Sequence, residues 1–126
     1  MDKSRTLTSE LGGIHIDDEV VTIIAGLAAV EIEGVAGMSG DFAGGVAEAL
    51  GRKNLSKGVK VELGGQEVTV ELFLEVEYGS RIPDVAWTVQ EKVKKAIETM
   101  TGLTVANVNI HVQGVSFPQE NDRGGE

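Results

Sequence analysis

The sequence predicts an α+β fold: a two-layer sandwich with two main helices packed on one face of a mixed, mainly antiparallel sheet. Two runs between Val59 and Tyr78 alternate apolar and polar residues across Gly64-Gly65-Gln66, and Val105 to Val112 alternates again. Two other segments place apolar residues at three- and four-residue intervals. A period of two buries one face of a strand and a period near 3.6 buries one stripe of a helix, so the elements fit when the stripes cover the sheet.

In chain order, Met1 to Glu10 reads as a flexible N-terminal tail, and residues 11–117 as a single domain. Leu11 to Ile16 is a short strand with Ile14 and Ile16 on one side. Asp17 or Asp18 then supplies a side-chain oxygen to cap a helix, with Glu19 favourable in its first turn. Val20, Ile23, Ile24, Leu27 and Ala28 form the apolar stripe of that helix, and Gly34 is placed to end it. A small strand spans Val35 to Met38. Residues 40–58 are punctuated by five glycines, yet Phe42, Val46 and Leu50 recur every four residues, which suggests a short glycine-weakened helix.

Val59, Val61 and Leu63 form one strand, and Val68, Val70, Leu72, Leu74, Val76 and Tyr78 form the apolar face of the next. The glycine turn between them makes an antiparallel hairpin with one buried face. Pro83 suits the first turn of the second helix, whose stripe is Ile82, Val85, Ala86, Val89, Val93, Ala96, Ile97 and Met100; Gly102 closes it. The last strand is Val105 to Val112, and residues 118–126 form a polar tail expected to be disordered.

Composition narrows the function. The chain has no cysteine, which removes thiolate catalysis, disulfides and cysteine-held metal clusters. No window reaches about 18 consecutive apolar residues, so no direct membrane insertion is expected. The net charge of −9, from 20 acidic and 11 basic residues, disfavours nucleic acid, which needs cations to displace phosphate counterions. Cationic residues do cluster locally, at Arg52, Lys53, Lys57 and Lys60.

Catalytic signals are missing. His15 and His111 occupy polar-facing strand positions in no metal-ligand spacing, so no catalytic, cofactor-binding or metal-ligating residue is assigned. Asp17-Asp18-Glu19 is explained by a helix start, and Glu71, Glu75 and Glu77 by a solvated sheet face. Gly34-Val35-Ala36-Gly37 matches the GxxG of KH domains, but with apolar rather than basic residues between the glycines. Two aromatics disobey the pattern: Phe73 falls on the glutamate face of its strand and Trp87 lies off the helical stripe. Exposed aromatics anchor protein contacts, so Phe73 and Trp87, with Arg52 and Lys53, form the candidate interaction surface.

Six segments resemble, in order, the alkaline shock and general stress protein family. They are Glu31 to Met38, Gly51 to Asn54, Lys57 to Val61, Glu77 to Gly79, Ile82 to Ala86 and Val108 to Val115. The resemblance implies a small acidic protein of Gram-positive bacteria connected with cell-envelope or alkaline stress. Some members reach the membrane through a separate anchoring protein, and others are linked to control of fatty-acid synthesis. No catalytic residues carry over. The expectation is a non-enzymatic, cytoplasmic scaffold or regulator that forms homo-oligomers and binds protein partners, among them a membrane-anchoring protein; the alternative is a KH-like RNA-binding regulator.

Overall fold

The computed structural model describes residues 5–39 and 57–117. Its elements in order are β1 (Arg5–Ser9), β2 (Gly12–Ile16), α1 (Asp18–Val30), β3 (Val35–Met38), β4 (Val59–Gly64), β5 (Glu67–Glu77), α2 (Ile82–Thr101) and β6 (Thr104–Ser116).

β5 is the centre of the sheet because its alternation is the longest and cleanest. Val68, Val70, Leu72, Leu74 and Val76 all point to one face and are buried. β6 runs parallel along one edge of β5, from Glu67↔Thr104 to Glu77↔Ser116, so a helical crossover is needed between them, and α2 supplies it. The other edge of β5 is shared. β4 pairs antiparallel over residues 67–72, and β3 pairs antiparallel over residues 74–76. The expected two-layer α+β sandwich is therefore the fold.

β3 and β4 lie end to end, and the backbone of Phe73 joins them: Ser39 N–H donates to Phe73 C=O at 2.8 Å, and Phe73 N–H donates to Gly58 C=O at 2.8 Å. Gly58 takes φ +77°, and a Cβ there would stand 2.8 Å from the Phe73 carbonyl oxygen. Only glycine fits this position without strain.

α1 lies over β3 and β4, and α2 over β6. Val85, Val89, Val93 and Ile97 are the buried residues of the α2 stripe, while Ile82 and Met100, assigned to it from spacing, are exposed. Gly102 adopts the left-handed conformation that ends the helix, at φ +78°. Buried Thr101 completes the cap, donating to Ile97 C=O at 2.6 Å and accepting from Leu103 N–H at 3.1 Å.

Several expectations are corrected. Residues 5–9 are not part of a flexible tail: they pair with β2 from Arg5↔Ile16 to Ser9↔Gly12, a two-stranded hairpin that the scattered charges of the N-terminus concealed. Ile14 in this hairpin is exposed. Asp17 stands at the N-cap position of α1 in extended conformation but makes no side-chain capping bond. α1 buries Val21, Ile24, Ala25, Ala28 and Ala29, a stripe rotated from the one expected, because the alanines let the helix approach the sheet closely. The helix ends at Val30, before Gly34. Gly34 serves the turn into β3 instead, at φ +105°, where a Cβ would meet Val85 Cγ2 at 2.6 Å. β6 extends beyond Val112 to Ser116. The short helix expected in residues 40–58 falls almost entirely outside the described residues.

Substitution of Gly34 or Gly58 by alanine should lower the stability of the fold by about 1–3 kcal/mol, since each combines positive φ with a close approach. Urea unfolding checks this; midpoints equal to wild type would contradict the two turns described.

Candidate interaction surfaces

The sheet face away from the helices carries a polar and aromatic cluster. His111 stands beside Phe73 in the parallel β5–β6 register, and their rings stack at 4.5 Å with an interplanar angle of 11°. Lys60 Nζ lies 5.7 Å from the centre of the Phe73 ring. Glu71 is held by His111 Nε2 at 2.5 Å and by Asn109 Nδ2 at 2.8 Å. The bond from His111, then that from Asn109, holds the Glu71 carboxyl below the ordinary glutamate range. An ionised carboxylate only accepts, so His111 Nε2 carries the proton. From sequence alone His111 has no assignable partner and Glu71 is a solvated charge; the adjacency of β5 and β6 pairs them. Both side chains remain open to solvent, on a flat sheet surface.

A second surface lies between the helices. α1 is apolar nearly all round: its inner side meets the sheet, and its outer side presents Val20, Ile23, Leu27 and Val30. A helix hydrophobic on every side is normally buried on every side. Here Val20 and Leu27 are 45% and 44% exposed. Together with Ala96 and Met100 of α2 they line an open groove of about 450 Å³, with Glu31 and Lys92 as its charged members.

The third surface is the flank of α2 along β6. Glu98 accepts from Val105 N–H at 2.9 Å and from Lys94 Nζ at 2.7 Å, and Gln90 Nε2 donates to Val108 C=O at 2.9 Å. These side chains cap the first part of the strand beside them. The Lys94 bond, then the Val105 amide, holds the Glu98 carboxyl low. Trp87 shares this stripe by helical spacing and is 58% exposed. Tyr78 and Phe117 stack at 5.0 Å near the end of β6.

Residues 6–117 match the model of the alkaline shock protein family, described as having a "cell envelope-related function". The chain belongs to that family. It is 43% identical over 109 residues to YqhY of Bacillus subtilis (strain 168), covering 86% of this chain and 81% of that protein. It is 40% identical over 111 residues to YloU of the same organism, covering 86% and 92%. It is 30% identical over 119 residues to a stress response regulator gls24 homolog of Streptococcus pyogenes serotype M3, covering 93% of this chain and 66% of that one. The resemblance carried by the six segments is thus confirmed at family level, and the family is one connected with the envelope and with stress.

Within this alkaline shock family fold the expected surface residues do not converge. Phe73 lies on the outer sheet face, half-buried by its stack, whereas Trp87 lies on the helical layer. Arg52 and Lys53 fall outside the described residues, as does Phe42. Gly34 to Gly37 does not form a free loop of KH type, because Val35–Met38 is a strand paired with β5. Among the described residues no group of three or more His, Asp or Glu is placed to hold a metal. No described helix is long and apolar enough to cross a membrane. The outer stripe of α1 was missed, although its signal was present: Val20, Val21, Ile23, Ile24, Leu27 and Val30 are too many apolar residues for one buried stripe.

Replacing His111 with phenylalanine keeps a ring against Phe73 and removes the donor to Glu71. The acid titration midpoint of the Glu71 carboxyl, followed by carbon NMR, should then rise toward the ordinary value. Because the folded pKa is the depressed one, the pair contributes stability above the unfolded value and loses it as pH falls through the folded one. An unchanged midpoint would mean that the pair does not form in solution.

Proposed function

We propose that the chain is a non-catalytic scaffold or regulatory protein of the cell-envelope or alkaline stress response, acting by self-association and protein contacts. The observation that carries the protein-contact part of this reading is the outer face of α1. Apolar surface of this kind is covered in complexes, and a groove with only one carboxylate and one amine offers substrate little to converge on. The Glu71–His111 pair supports the same reading, since an open sheet face neither excludes water nor encloses a reacting group. Family membership supports a place at the envelope, and the resemblance suggests a cytoplasmic location with membrane contact made through an anchoring protein. Trp87 and Phe73 are further contact points in this reading, with Arg52 and Lys53 as cationic additions.

The test combines Leu27→Glu with Met100→Glu, two exposed positions where a carboxylate leaves the core intact. Complexes recovered by cross-linking in the native host should contain defined partners with the wild-type chain and lose them with the double variant. Identical recovery from both, with circular dichroism showing both folded, would refute the contact reading. Turnover of a metabolite by the purified chain, abolished on replacing His111, would refute the non-catalytic one.

A further inference from the structure

The outer face of α1 has a period that specifies what covers it. Val20, Ile23, Leu27 and Val30 follow spacings of three, four and three residues, the seam positions of a heptad. A buried helix face in a globular layer is broader, and α1 already has one on its inner side. A narrow heptad seam is complementary to another helix crossing at a small angle; Val20, Ile23 and Leu27 of the seam line the groove whose other wall is Ala96 and Met100, and Val30 continues the seam beyond it. The seam spans about 15 Å, or roughly three helical turns.

Charge selects among helices. Glu19 and Glu31 sit at the two margins of the α1 seam, in the positions that flank a heptad core, and both are acidic. Lys92 is the charged residue of the opposite wall. Two α1 seams facing each other would place only acidic margins together, in chains that each carry a net charge of −9. Acidic margins also repel an anionic membrane surface.

We propose that the groove between α1 and α2 receives an amphipathic helix of a partner protein, with a heptad apolar seam and lysine or arginine along the margin that faces Glu19 and Glu31. This rests on the protein-contact reading above and adds the chemistry of the partner. The apolar seam provides the affinity, and the two carboxylates decide which helix is accepted.

A synthetic helical peptide of three heptads, with leucine and isoleucine at the seam and lysine along one margin, tests this by titration against the full chain. A second peptide carries glutamate in place of those lysines. The lysine peptide should bind, roughly tenfold more tightly than the glutamate peptide, in keeping with two exposed ion pairs, and the difference should shrink as salt rises. Glu19→Lys with Glu31→Lys should reverse the preference, and Leu27→Glu should abolish binding of both.

Equal binding of the two peptides, or no binding of either, would overturn the partner assignment. If the Leu27→Glu/Met100→Glu variant has at the same time lost its cellular complexes, the contact reading survives that failure; if it keeps them, both fail. Sedimentation adds a further arm. A wild-type oligomer that Leu27→Glu converts to monomer without any peptide would assign the groove to a second copy and overturn the proposal. Binding of phosphatidylglycerol vesicles that Leu27→Glu abolishes would assign it to a lipid surface, with the same consequence.

Discussion

The structure depends on the burial of one strand on one face. Every second residue of β5 from Val68 to Val76 sits in the core, and the strand has neighbours on both edges. Register follows from this constraint. A slip of one residue would turn five apolar side chains to solvent and bring Thr69, Glu71, Phe73 and Glu75 under the helices. With each well-buried aliphatic side chain contributing about 1.5–3 kcal/mol, such a slip costs about as much as a small domain's whole stability. The outer face is consequently free to carry the Phe73–His111 stack and the Glu71 bonds without affecting where the chain folds.

The two helices meet this strand by different means. α2 is amphipathic in the ordinary sense, with Val85, Val89, Val93 and Ile97 inward and charged residues outward. Its flank reaches over the sheet and closes part of β6 through Gln90 and Glu98. α1 approaches through Ala25, Ala28 and Ala29 beside Val21 and Ile24, and Val20, Leu27 and Val30 are left on the far side. Close approach and an apolar exterior therefore go together: the helix that packs tightly through alanine carries part of its apolar surface on its back.

Much of this was legible in the residues, for identifiable reasons. β4, β5 and α2 follow strong periodic patterns bounded by a glycine turn, a proline and a capping glycine, so local preference and tertiary burial agree. The apolar spacing of α1 locates the helix but not its rotation, because Val20 and Leu27 turn outward while Ala25 and Ala29 turn inward. Gly34 reads as a helix cap in the sequence, yet the determining fact is the approach of Val85, which no local pattern contains. The β1–β2 hairpin was hidden because five residues rich in threonine and near several charges resemble a tail. The partners of Glu71 were invisible for a related reason: they depend on β6 lying parallel beside β5, a pairing across some forty positions of chain.

The junction at Phe73 lets one edge of β5 be built from two strands instead of one. Strand pairing is completed on one side by Ser39 and on the other by Gly58, each bonded to the backbone of the same residue. Both strands are thereby held in line on the same edge of β5. One edge of β5 is thus satisfied along its length by two separate stretches of chain that meet at a single residue, so a strand that looks continuous from its partner's side is assembled from pieces.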